Sequence, residues 1–269
     1  MNASLFKSMM KTNGKSIVSY AFGAAFYMLL IIWIYPSIAK SDALNQLFEQ
    51  MPANYLSAFG FEGGISNELI GFLAGEYYGL LYIIILLIFS VVTATQLVAR
   101  LVDRGSMAYL LSTSTSRIRV AITQGFILVL GLFVITLFSV LPVLFGAKWI
   151  IDDVNINYSR FFEMNIVGFL LFFVISGYSF LFSCLFNDEK RAMAISGGLS
   201  IIFFALNLVA KMSTDLEWLK YLTIFSAFRP TEIAKGTTDI LPVSLSLGAV
   251  GIVLYAIAIL IFQKRDLPL

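Results

Sequence analysis

The amino-acid sequence predicts an all-α integral membrane protein. It has six transmembrane helices in a single domain, residues 1–269, with an N-terminal interfacial helix and both termini cytoplasmic. Three observations predict this. The first is composition: 59% of residues are hydrophobic and the mean hydropathy is +0.89. A soluble core cannot absorb so much apolar surface. The second is a set of six runs free of Asp, Glu, Lys and Arg: 17–38, 77–99, 120–145, 164–186, 192–210 and 240–262, each 19 to 26 residues long. About 20 residues of helix cross a hydrocarbon core of roughly 30 Å. Barrel strands would be about half as long and would alternate polar with apolar. The third is loop charge. With the N-terminus inside, the inner segments hold eleven Lys/Arg and four acids, and the outer segments seven and twelve. That asymmetry sets the orientation.

Residues 1–16 have Leu5, Phe6, Met9 and Met10 on one helical face, with Lys7, Lys11 and Lys15 recurring every four residues on another. This predicts a basic amphipathic helix in the inner interface before the chain turns into the first span. Ser37-Ile38-Ala39 resembles a signal-peptide cleavage site, but the apolar run is too long for a signal core. Gly14-Lys15-Ser16 resembles the end of a phosphate loop. Met9 stands where that pattern needs glycine, so ATP is not bound by that route.

The first outer loop carries an amphipathic turn, Leu44, Leu47, Phe48 and Met51, which ends at Pro52. Gly60, Gly63 and Gly64 mark a flexible bend. Gly71, Gly75 and Gly79 fall at i, i+4 and i+8, a spacing that lets helices approach closely. The partner helix belongs either to a second subunit or to the same one. Pro142 is placed to kink the third span, and Trp149 and Tyr158 to anchor the loop after it. Ser196, Gly197 and Gly198 offer another close-packing surface. Asn165 and Asn207 are the most polar residues near the outer ends, suited to interhelical hydrogen bonds first and substrate contact second. Trp218, Tyr221, Leu222 and Phe225 form a helical stripe, followed by a break at Pro230 and a possible cap at Gly236. This pair of short helices either plugs an outer mouth or caps the surface.

The stretch Ala99–Arg119 is too polar for lipid. Arg100, Asp103, Arg104 and Met107 share one helical face, and Met107, Leu110 and Leu111 form an apolar ridge. Gly105-Ser106 permits a bend, and Thr115 or Ser116 can cap the third span. The element is either an ordinary charged turn or a surface that receives a push from a soluble partner.

Composition also excludes chemistries. There is no histidine, and Cys184 is alone, so the usual zinc ligands, the usual general base and an intrachain disulfide are all absent. Dispersed charge leaves no nucleic-acid footprint. The six runs hold no ionisable carboxylate or base, which argues against an ion-coupled carrier and an intramembrane hydrolase. An apolar, aromatic pathway fits amphipathic or lipid-like cargo, with energy supplied from the cytoplasmic side.

Three stretches carry a family resemblance. Val102-Asp103-Arg104-Gly105-Ser106-Met107, then Leu110-Leu111-Ser112 and Ser116-Arg117, resemble the loop between spans two and three of type-two ATP-binding-cassette exporter permeases. Residues 185–192, LFNDEKRA, resemble that family's turn between spans four and five. Residues 221–230, YLTIFSAFRP, with Gly236, resemble its outer segment before span six. Two departures stand out: Ser114 where the family often has proline, and Leu101 where it has a second acid.

The resemblance implies a non-enzymatic permease subunit in a bacterial plasma membrane. It would pair with a second copy or a paralogue, contact membrane lipids and export peptides, drugs or lipid-like molecules. Two cytosolic ATPases would carry the ATP and Mg; this chain would hold no cofactor. A coupling helix would comprise Arg100, Asp103, Arg104, Gly105, Ser106, Met107, Leu110, Leu111 and Arg117. Trp218, Tyr221, Phe225, Phe228 and Pro230 would form an outer gate. The rival reading is a scaffold or sensor subunit that binds an ATPase and moves nothing.

Overall fold

A computed structural model describes residues 3–39, 41, 50–52, 56, 68–112, 115–151 and 156–266. The expected turn at 44–48, the bend at Gly60–Gly64, and Ser114 lie outside the described residues. Those residues form helices and connecting turns with no strand, and six helices are long and apolar enough to cross a membrane.

The first helix runs unbroken over Ala3–Ala39. At ~1.5 Å per residue it is about 55 Å long, well beyond a ~30 Å hydrocarbon core. The interfacial helix expected over 1–16 is therefore not set off by a turn. The reason is local. Thr12 and Asn13 donate their side-chain hydrogen bonds back to Ser8 O and Met9 O, 3.2 and 3.0 Å, so neither unwinds the helix. Its amphipathic pattern does hold: Leu5 is buried, while Lys7, Lys11 and Lys15 are exposed. Ile17, Ala21, Ala24, Met28 and Ile32 continue the buried stripe of a helix packed mainly along the third span, and Tyr35 packs on Phe72 of the second.

The second span starts earlier than its charge-free run, at Leu69, because half-buried Glu76 sits inside the helix. A π-helical turn over Tyr77–Leu81 joins Leu69–Glu76 to Tyr82–Leu97. The axis breaks at Val98, where φ is −128°. The backbone N–H of Ala99, freed by the break, donates to Ser183 Oγ of the fourth span at 2.9 Å. The third span, Arg117–Leu141, starts at Ser116, whose hydroxyl caps Arg119 N. Pro142 opens a second π turn, Pro142–Gly146, before Ala147–Ile150. A proline offers no N–H, and the wider turn accommodates the gap.

The fourth span, Tyr158–Leu185, is the centre of the bundle. The sixth, Ile240–Lys264, lies close along it. A Cβ on Gly251 would fall 2.3 Å from the Phe173 ring, so glycine there permits the approach. Tyr255 then stacks on Phe173 at 5.1 Å and hydrogen-bonds to Ser176. The fifth span, Glu189–Met212, buries only a narrow row that includes Ala192, Ser196 and Ser200. Ser196 packs as expected, but nothing lies within 4 Å of a Cβ on Gly198. Gln124 in the third span is fully buried, with neither amide atom partnered among the described residues.

Candidate functional site

Two regions gather the residues singled out above, one at each end of the bundle. At the end carrying both chain ends, the element between spans two and three is two short helices, Ala99–Asp103 and Ser106–Leu111. Gly105 separates them with φ +68°, a left-handed conformation that costs other L residues about 1 kcal/mol or more. The bend rotates the second helix relative to the first, so the four residues read as one face part company. Met107 is fully buried, while Leu110 and Leu111 pack half-buried against the core. Arg100 Nε lies 3.9 Å from Glu189 Oε2, and Asp103 Oδ2 accepts from Glu189 N at 3.3 Å. Asp103 thus sits at the N-terminus of the fifth span, where negative charge is favoured. Ser106 is half-buried.

Arg117 Nη1 donates to Arg265 O at 2.6 Å. Arg265 itself donates to Cys184 O and Phe186 O, 2.5 and 3.2 Å, and to Asn187 Oδ1. The guanidinium satisfies carbonyls at the end of the fourth span. Burial pulls its pKa below the ordinary arginine value. The loop, the turn between spans four and five, and the end of the sixth span are thereby joined. Arg104 and Tyr109 remain exposed on the surface, Tyr109 at 80%. Tyr109 was not singled out from the sequence. Its signal is its place between buried Met107 and half-buried Leu111, on the opposite side of the short helix.

At the far end, Thr214–Leu222 is a 3-10 helix, not the expected α-helix. In a 3-10 helix residues three apart eclipse, and Trp218 and Tyr221 both face outward, 56% and 81% exposed. Phe225 does not continue their stripe. Thr223 breaks the helix, donates to Phe203 O at 2.7 Å and caps Phe225 N. Phe225 turns inward onto Phe204, ring centroids 5.5 Å apart. Phe228 is buried beside Gly168 and 6.3 Å from the Tyr82 ring. Pro230 is buried at the first position of a short helix, Pro230–Lys235, and Gly236 caps that helix with φ +75°. Of the five expected gate residues, three are therefore plugged inward and two face out.

Beneath that plug lies a cluster absent from the expectations. Tyr77, Tyr78 and Tyr82 are fully buried, with ring centroids 4.9 to 5.7 Å apart. The π turn brings all three to one side of the second span. Their hydroxyls pair with Ser139, Asn165 and Thr136, at 2.6, 2.9 and 3.2 Å. The signal was three tyrosines within six residues of an otherwise apolar run. Gly75 is buried within this chain, and Gly71 and Gly79 are half-buried. The first span and the helix Pro230–Lys235 pack against their segment. The π turn contains Gly79, so the three glycines do not form one straight ridge.

Among the described residues no group of three His, Cys, Asp or Glu is placed to hold a metal. No curated protein matches the chain. One family does match, over residues 8–263: the C-terminal domain of the multidrug efflux system permease Rv1217c. With six apolar helices and nearly the whole length matched, the chain belongs to that family of multi-pass membrane permeases of efflux transporters.

Proposed function

We propose that this efflux permease is the membrane half of an ATP-driven exporter of the ATP-binding-cassette type. Both chain ends face the cytoplasm of a bacterial cell, and two cytosolic ATPases bind beneath a pair of permeases. The cargo is amphipathic or hydrophobic: peptides, drugs or lipid-like molecules. The bent helix pair between spans two and three is the docking element. Arg104 and Tyr109 contact the ATPase, and Met107 anchors the element in the core.

The observation that carries this reading is the way the element is tied down. A partner pushing on Arg104 or Tyr109 would press on Asp103, which holds Glu189 N at the start of the fifth span. The third span would move with it, since Arg117 is bonded to Arg265 at the end of the sixth. A small displacement at the surface then becomes a rigid-body shift of several spans. The buried plug of Phe225, Phe228 and Pro230 is the outer gate that such a shift opens.

The test is the double substitution Arg104→Glu, Tyr109→Ala, chosen because both side chains are exposed and folding should survive. Reconstituted with its ATPase, the variant should export cargo about tenfold more slowly, in line with the loss of an interface anchor. Membrane insertion and basal ATP hydrolysis should persist. Unchanged export would remove the docking role. If the wild-type protein neither exports cargo nor shows cargo-stimulated hydrolysis, the scaffold reading replaces this one.

A further inference from the structure

Glu76 breaks the pattern of charge-free spans. It is the last residue of the helix Leu69–Glu76 and stands directly before the π turn Tyr77–Leu81. The first helix fixes its depth. Tyr27 lies at the middle of the apolar run 17–38, and its ring stacks on Tyr77 with centroids 6.3 Å apart. The carboxylate therefore stands at the level of that run, not beyond its end. A carboxylate at such a depth is costly unless something neutralises it, and residues of this kind mark substrate or ion pathways.

Nothing among the described residues neutralises it. Glu76 forms no hydrogen bond and no ion pair with them, whereas Glu163 of the fourth span is paired with Arg160. Its oxygens are not sealed off as the Gln124 amide is, so they are open to a group from outside the chain. The hydroxyls of Tyr77, Tyr78 and Tyr82 are turned to Ser139, Asn165 and Thr136 instead. The Tyr27 hydroxyl is within electrostatic reach of Glu76 but does not bond to it.

The surroundings decide what the outside group is. A proton path needs further carboxylates or bases in line with the first. Beside Glu76 stand rings. A carboxylate next to an aromatic face suits an organic cation: the anion supplies the charge, and the ring adds its negative face. Half-buried Tyr27 offers such a face, and there is room along its helix. A Cβ on Gly23, one turn away, would meet nothing within 4 Å. The helix Pro230–Lys235, which begins at the gate residue Pro230, packs on Leu69–Glu76. The carboxylate thus belongs to the segment on which the plug rests.

We propose that Glu76 is the charge-recognising residue of a cargo site for amphipathic organic cations, with the Tyr27 ring as its aromatic wall. Calling the ligand cargo rests on the export reading above; the binding itself does not.

The experiment uses the full chain in nanodiscs of zwitterionic lipid, with no ATPase, and reads binding by equilibrium dialysis against empty discs. The probes are tetraphenylphosphonium and tetraphenylborate, alike in size and shape and opposite in charge. The wild-type protein should bind the phosphonium about tenfold more tightly than the borate. Glu76→Gln keeps the shape and removes the charge. It should erase the preference and leave the melting temperature at or above that of the wild type, since an unpaired charge is lost. Tyr27→Leu keeps the carboxylate and should weaken phosphonium binding severalfold; it decides the matter if Glu76→Gln does not fold. Equal binding of the two ions by the wild type would overturn the proposal, as would a preference that survives in folded Glu76→Gln or an unchanged affinity in Tyr27→Leu. If Glu76→Gln separates paired copies and keeps the preference, the carboxylate serves a subunit contact and the proposal fails. Phosphonium binding without ATP-driven export would sink the export reading alone; export of other cargo without phosphonium binding would sink this one alone.

Discussion

The two ends of the bundle join their parts by different means. At the chain-end face, polar contacts reach across the sequence: Asp103 to Glu189, Arg117 to Arg265, and Arg265 to the fourth-span carbonyls. At the far face three ion pairs among the described residues are local. Arg160–Glu163, Glu217–Lys220 and Arg229–Glu232 each join residues three apart on one element. The far elements are held to the bundle mainly by buried rings, Phe225 on Phe204 and Phe228 on Tyr82. Directional bonds fix geometry and transmit displacement. Apolar contacts are non-directional and let one surface slide over another. The chain-end face is thus built as a linkage, and the far face as a plug seated on buried rings.

The sharpest way to break that contrast is to remove the plug's anchor. Phe228→Ala leaves a void beside Tyr82 and Gly168. The expected loss is about 3 kcal/mol, as for other buried Phe→Ala changes. Thermal unfolding in detergent reads it. An unchanged melting temperature would mean that the far elements are held by something other than their rings.

The linkage should fail more gently. Arg265→Gln removes the charge-assisted donors to Cys184 O and Phe186 O. Such bonds contribute about 2 kcal/mol each at partly buried sites, and water replaces some of that near the surface. A melting temperature lowered by less than that of Phe228→Ala is the expected outcome. Arg104→Gln, on an exposed side chain, is the control and should leave it unmoved. A loss in Arg265→Gln exceeding that in Phe228→Ala would reverse the comparison.

The spans and the local bends were legible in the sequence; the long-range contacts that tie the linkage together and seat the plug were not. The spans follow from run length and the absence of charge, which physics ties directly to bilayer thickness. Gly105, Ser116 and Gly236 were readable because bends and caps depend on a residue's own backbone and side chain. The stripe from Trp218 to Phe225 misled because its spacing fits an α-helix. The chain instead forms two 3-10 segments, broken where Thr223 bonds to Phe203 O, a tertiary contact that no local pattern records. Asn165 and Asn207 make the same point. Both sit near far-end span termini in apolar surroundings, with the same local signal. What separates them is Tyr78, 87 residues away in sequence from Asn165. The first helix adds another point: amphipathicity over residues 1–16 does not reveal whether a helix turns before the span or continues straight into it.

The smallest expected effect tests the local pairs. Glu217 accepts from Lys220 at 2.5 Å, on a surface helix. The hydrogen bond from Lys220 holds the Glu217 carboxyl below its usual range, and the same bond lifts the Lys220 ammonium above its own. A lowered carboxyl pKa contributes stability above the unfolded value, lost as pH falls through the folded one. A raised ammonium pKa contributes below the unfolded value, lost as pH rises through the folded one. The pair therefore acts across the neutral range and fades at both extremes. Both groups are open to water, which screens the attraction. Glu217→Gln should leave the melting temperature at neutral pH within experimental scatter of the wild type, and flatten only a slight decline on the acid side. A clear drop at neutral pH would mean that this pair joins the 3-10 helix to the bundle, giving the far face a charge linkage of its own.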